Sequence, residues 1–161
     1  MGVYDIWASG FVNRWHTHPD PRLRNSGDTT AAHQWRVAVL VDMLTEGFSI
    51  DTYMDLNAAL YHDAAEVATG DAPYSAKKDS TLKTALDMAE SAFWRRAEVD
   101  APRRSALVHL CDNLDHLLFC AHHAPDLLDK EDWRRHTDEV MDMAEEMGLG
   151  TEVFSLIWWR K

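Results

Sequence analysis

Apolar positions recur at intervals of three and four along most of the chain, and this spacing predicts helices almost throughout. Between Ala31 and Glu46, Trp35, Val39, Leu40 and Met43 fall on that period, and Gly47 stands where a helix would stop. A second helix is predicted from Asp51, a candidate cap, to Thr69 through Leu56, Ala59, Leu60, Ala64 and Val67, closing at Gly70. It carries His62, Asp63 and Glu66. A third runs from Asp79 to Val99 through Leu82, Leu86, Met88, Ala89 and Phe93, and Pro102 then restarts a helix bearing Leu107, Leu110, Leu114, Leu117 and Leu118. Two more are expected: one from Asp126 to Gly148 through Trp133, Val140, Met143 and Met147, and a short final turn capped by Thr151 that ends Ile157-Trp158-Trp159. No stretch alternates with period two, and no Asn-Gly or Asp-Gly turn joins two apolar runs. The expected fold class is therefore all-α, a single compact helical bundle over residues 1–161. Residues 16–30 break the pattern. Rich in Pro, Asp, Arg, Asn, Ser and Gly, they are too polar for core and are expected to form a mobile loop beside a site.

Length and composition agree with one ordinary globular domain: 161 residues, 46% apolar and 27% charged, which excludes disordered and fibrous classes. The longest aliphatic run, residues 37–41, is far short of the roughly 20 residues of a membrane span, and residues 1–5 lack a basic segment followed by an apolar core. A cytoplasmic protein is expected. The net charge of −11 repels duplex nucleic acid and anionic membranes, so neither is an expected partner. It also opposes an anionic substrate, and a phosphate site must bring its own cations or a metal. Cys111 and Cys120, nine residues apart in an apolar periodic stretch, suit buried packing and imply no disulfide framework.

Candidate chemistry gathers at four residues in the order His33, His62-Asp63 and Asp112. Each alone has a structural explanation. As a set they differ, because a carboxylate inside Leu107-Val108-His109-Leu110-Cys111-Asp112-Asn113-Leu114 is costly to bury without a cation or dense donors, and a metal answers that cost. Two imidazoles and two carboxylates suit Mn, Fe, Co, Zn or Mg without selecting one. On the predicted helix Glu66 lies four residues after His62 and three after Asp63, so the three share a face. A metal acidifies its water and polarises a phosphoryl oxygen, which leaves Glu66 to orient the nucleophile and move a proton. Asp71, after Gly70, is a candidate to hold a second ion or the Lys and Arg around it.

The stretch Tyr61-His62-Asp63-Ala64-Ala65-Glu66-Val67-Ala68-Thr69-Gly70-Asp71-Ala72-Pro73, followed by Lys77, resembles the core motif of the HD-domain 5′-deoxynucleotidases. Asn13-Arg14-Trp15, Ala32-His33-Gln34-Trp35-Arg36-Val37-Ala38 and Cys111-Asp112 agree with that family in the same order, so the resemblance covers residues 11 to about 120. It implies an HD-type bundle with a divalent ion held by His33, His62, Asp63 and Asp112. Glu66 becomes the catalytic carboxylate, with Asp71 the next candidate. Arg14 and Lys77 would bind phosphate, and Trp15 would face the base or sugar, although ordinary core packing also suits a tryptophan. The chain departs from that family in being short and in having Ala31-Ala32 where a Glu is expected before the first metal histidine. In compactness and in Arg14-Trp15-His16-Thr17 it is more similar to phage-encoded relatives, among them dATP triphosphohydrolases. The implied substrate is thus a 2′-deoxynucleotide, dATP first, with a general 5′-deoxynucleotidase as the alternative and a non-catalytic nucleotide sensor as the rival that an intact Glu66 disfavours. His16, His18, Arg22 and Arg24 are candidates to grip a longer phosphate tail, and Phe154, Ile157, Trp158 and Trp159 suggest a homodimer.

Overall fold

The computed structural model describes residues 3–45, 49–73 and 79–158. Along them run α1 (Val3–Ser9), α2 (Pro21–Arg24), α3 (Thr30–Leu44), α4 (Ile50–Tyr61), a 3₁₀ turn (Ala64–Val67), α5 (Ser80–Ala97), α6 (Ala106–His123), a second 3₁₀ turn (Pro125–Asp129), α7 (Glu131–Glu146) and α8 (Gly150–Trp158). The all-α expectation holds: among the described residues extended pairing is confined to an isolated bridge between Asn13 and Thr29. No described helix is long and apolar enough to cross a membrane. The chain folds as two compact units, Met1–Trp35 with Leu60–Arg103, and Arg36–Ala59 with Arg104–Lys161. Each is made of two separate stretches.

In the first unit α1 lies on the 3₁₀ turn 64–67 and on α5. Ile6 packs there against Ala64, Ala65, Phe93 and Trp94. Segment 16–30, expected as a polar mobile loop, contains α2, a capped turn whose Asp20 carboxylate accepts the Arg22 N–H at 2.9 Å. Leu23 and Thr30 are fully buried, and Asp28 is buried too. Backbone bonds from Arg14 N–H to the Asp28 carbonyl (3.0 Å) and from Thr30 N–H to the Val12 carbonyl (2.9 Å) fasten its end. The polar composition hid one apolar anchor.

The second unit holds the larger core, in which Val37, Val41, Leu110, Leu114, Leu117, Val140, Ala144 and Val153 are buried together. Burial pushes the Cys111 thiol up to about 12, helped by Asp55 and Asp112, and an inert packing role follows. Asp115, 3% exposed, is ion-paired by Arg36 through two bonds of 2.7 and 3.0 Å, with the guanidinium over the Phe119 ring.

Several predicted boundaries and faces shift. Ser49, not Asp51, caps α4 by accepting the Thr52 N–H at 3.1 Å. Pro102 stays in irregular chain while Ser105 caps α6 through Val108 N–H at 3.2 Å, and residues 125–129 form a 3₁₀ turn so that α7 begins at Glu131. Trp35 and Met43 are 63% and 60% exposed, because the face that α3 buries runs through Thr30, His33, Gln34, Val37, Val41 and Leu44. Its polar members broke the apolar period. Gly47 and Glu46 lie outside the described residues.

Candidate metal centre

His33, fully buried, projects from the second turn of α3, whose start is fastened by the Thr29 hydroxyl accepting Ala32 N–H at 3.4 Å. The predicted helix 51–69 does not reach Asp63. It stops at Tyr61, Asp63 takes φ −105° and ψ 11°, and a 3₁₀ turn follows in which Glu66 N–H bonds the Asp63 carbonyl at 3.0 Å. Residues 62–66 are all buried. At about 100–120° per residue, five successive side chains point all round the axis whether the turn is α or 3₁₀, so their common burial means that the segment is enclosed by its surroundings. With three residues per turn, Asp63 and Glu66 still share a side. Gly70, at φ 72°, closes the turn with its N–H on the Glu66 carbonyl at 2.6 Å.

The Nε2 atoms of His33 and His62 stand 3.2 Å apart, and Asp63 Oδ2 lies 3.4 and 3.3 Å from them. Tetrahedral coordination with bonds of about 2.0–2.1 Å has edges of roughly 3.3–3.4 Å, so these donors sit at the separations that one bound ion requires. All three are among the described donors close enough to hold a metal. The fit is chemical as well as geometric, because two imidazoles and a carboxylate suit a divalent transition ion. Glu66, 5% exposed, follows one 3₁₀ turn later.

Arg14 is 6% exposed, with Nη1 3.5 Å from Asp63 Oδ2 and Nε 3.9 Å from Asp28 Oδ2. Trp15 adopts φ 62°, donates its backbone N–H to Asp71 Oδ2 at 3.0 Å and its indole N–H to Asp28 Oδ2 at 3.2 Å. The indole is half-buried beside the His18 ring. Arg14, His33, His62 and Asp63 are thus brought together, and Trp15 is joined to Asp71. Asp28 was missed by the sequence reading. Its only signal is a repeated dipeptide, Gly27-Asp28 and Gly70-Asp71, in which both glycines take φ 72°. Arg22, a candidate for a phosphate tail, is engaged with Asp20, whose carboxyl it holds well below the usual range. His16 and Arg24 are exposed. Lys77 lies outside the described residues.

Asp112 belongs to the second unit, on α6. Arg104 Nη1 approaches one of its carboxylate oxygens at 3.6 Å and His116 Nε2 the other at 3.8 Å.

A family model described as HD domain matches residues 11–93, the stretch that supplies His33, His62, Asp63 and Glu66. The chain belongs to the HD-domain family. Among curated proteins and among solved structures, none matches it. HD domains are typically divalent-metal-dependent phosphohydrolases, and the donor set of this HD domain fits that class of chemistry.

Proposed function

We propose that this HD domain hydrolyses 2′-deoxynucleoside 5′-phosphates, with dATP its best substrate, giving deoxyadenosine and triphosphate, and with dADP and dAMP giving deoxyadenosine with diphosphate or phosphate. The observation that carries the reading is the convergence of His33, His62 and Asp63 at 3.2–3.4 Å, one turn before a buried Glu66. In this reading Asp112 is the fourth donor to the ion, which is Co, Zn, Mn or Mg. A bound divalent ion supplies an acidified water and polarises a phosphoryl oxygen. Glu66 orients the attacking water and accepts its proton as the phosphorus–oxygen bond to the nucleoside side breaks. Arg14 offers the planar fork that pairs phosphate oxygens, Lys77 adds a second cation, and Trp15 faces the base or sugar. Asp71, already bonded to the Trp15 backbone, is the second carboxylate available to the nucleophile. The resemblance of residues 61–73 and of Asn13-Arg14-Trp15 to deoxynucleotidases supports the substrate class, and Arg14-Trp15-His16-Thr17 supports dATP.

A screen of the eight common ribo- and deoxynucleoside triphosphates and their monophosphates, each with Co, Mn, Zn and Mg and with products resolved by chromatography, tests this. Deoxyadenosine from dATP is the expected product. Turnover confined to deoxynucleoside monophosphates makes the chain a 5′-deoxynucleotidase, and binding without turnover makes it a sensor.

A further inference from the structure

Asp28 is a buried carboxylate whose side chain is 1% exposed, set at the end of a segment with little apolar content of its own. Burying a carboxylate is unfavourable unless charge and hydrogen bonds compensate it, so its partners define what the position is for. Its partners include Arg14 and Trp15, the substrate-binding pair of the proposed reading. One oxygen, Oδ2, accepts the Trp15 indole N–H at 3.2 Å and faces Arg14 Nε at 3.9 Å, while the Asp28 carbonyl accepts the Arg14 backbone N–H at 3.0 Å. Asp28 is itself aimed by its own N–H on Ser26 Oγ at 3.3 Å and by the preceding Gly27, whose φ of 72° turns the chain into it.

The dipeptide so held is under constraint. Trp15 occupies the left-handed region, which a tryptophan visits only when its surroundings impose it, and Asp71 on its backbone N–H and Asp28 on its indole are the groups that do so. Arg14 lies between two carboxylates, Asp28 at 3.9 Å from Nε and Asp63 at 3.5 Å from Nη1, so Asp28 biases the place of the fork by charge and not through a hydrogen bond. A carboxylate serves both neighbours, with charge for the guanidinium and a lone pair for the indole; an amide serves only the second.

We infer that Asp28 is a positioning residue for the substrate-binding pair, locking the Trp15 indole and the Arg14 guanidinium in one relation to the metal donors. This rests on the reading of Arg14 and Trp15 as substrate contacts. Because Asp28 acts through Arg14 and Trp15, its loss acts on binding before chemistry.

Asp28→Asn keeps an acceptor for the indole and removes the charge, and Asp28→Ala removes both. The KM for dATP or dAMP, whichever the wild type hydrolyses, is expected to rise about tenfold in Asp28→Asn and further in Asp28→Ala, with kcat within about threefold, the scale of one charge-assisted contact. Bound metal per chain stays at the wild-type value. In an Arg14→Ala background Asp28→Asn adds no further rise in KM, since the contact it would weaken is gone. Independently of turnover, acrylamide quenching of Trp15 emission, isolated by subtracting the Trp15→Phe spectrum, rises in Asp28→Ala. A kcat that falls with the folded fraction while KM holds, an equal KM effect without Arg14, or unchanged Trp15 quenching overturns the inference. Should the wild type hydrolyse no deoxynucleotide, the substrate reading fails and the quenching result alone decides the role of Asp28.

Discussion

Two imidazole nitrogens and a carboxylate oxygen separated by 3.2–3.4 Å in a buried place are a poor arrangement for the free groups and a good one around a cation. Chelation should therefore abolish hydrolysis and lower the melting temperature by roughly 5–15 °C if the ion is present at 100 to 1,000 times its dissociation constant. His62→Ala should lose both the ion and the activity, read by metal analysis beside the assay, and full turnover in metal-free protein would refute the assignment. Glu66 makes a different demand. As the group that handles the water it should cost about 10²–10⁴-fold in turnover when replaced by Gln, with metal content and calorimetric substrate affinity retained. Loss of metal together with activity would make it a ligand instead. These residues were legible in the sequence because their types and order carry the chemistry: His33, His62-Asp63 and Glu66 are chemically distinctive wherever the backbone leads. Asp28 was not, since one aspartate in a polar segment looks like any solvated loop residue until the Arg14 and Trp15 beside it are seen.

At the level of elements, α6 shows how a correct physical argument selects only part of the answer. An acid in an apolar helix does need a cation, and the sequence reading applied this to Asp112; Asp115, three residues on and more deeply buried, meets the same demand through Arg36 of α3. Removing that cation strands a buried carboxylate, so Arg36→Gln should destabilise the protein by about 3–5 kcal/mol in chemical denaturation. Arg36→Met combined with Asp115→Leu should recover most of the loss. Recovery failing in the double variant would mean that the pair does more than satisfy itself. The helix break after Tyr61 was illegible for a related reason: Ala64-Ala65-Glu66 are strong helix formers, and tertiary surroundings that enclose residues 62–66 outweigh that local preference.

Over the whole chain, we propose that α8 joins two copies. Phe154 is 52% exposed and stacks on Trp158 with ring centroids 4.6 Å apart, an aromatic pair at the surface near the end of the described residues. Of the rest of the expected patch, Ile157 packs against the core of the second unit and Trp159 lies outside the described residues. Light scattering at micromolar concentration should give twice the 18.4 kDa chain mass, and Phe154→Glu should return it to one chain; a wild-type monomer rules the pairing out. Sequence alone determined the helical class, the approximate places of most helices, and the residue types of the metal centre, because periodicity and ligand chemistry are properties of composition and order. Tertiary structure decided which face of α3 turns inward, that the helix stops before Asp63 and a 3₁₀ turn follows it, which acid of α6 meets Arg36, and that Asp28 stands against Arg14 and Trp15. Each of those depends on what a side chain meets across a fold, and neighbours in space are not written in the spacing of neighbours along the chain.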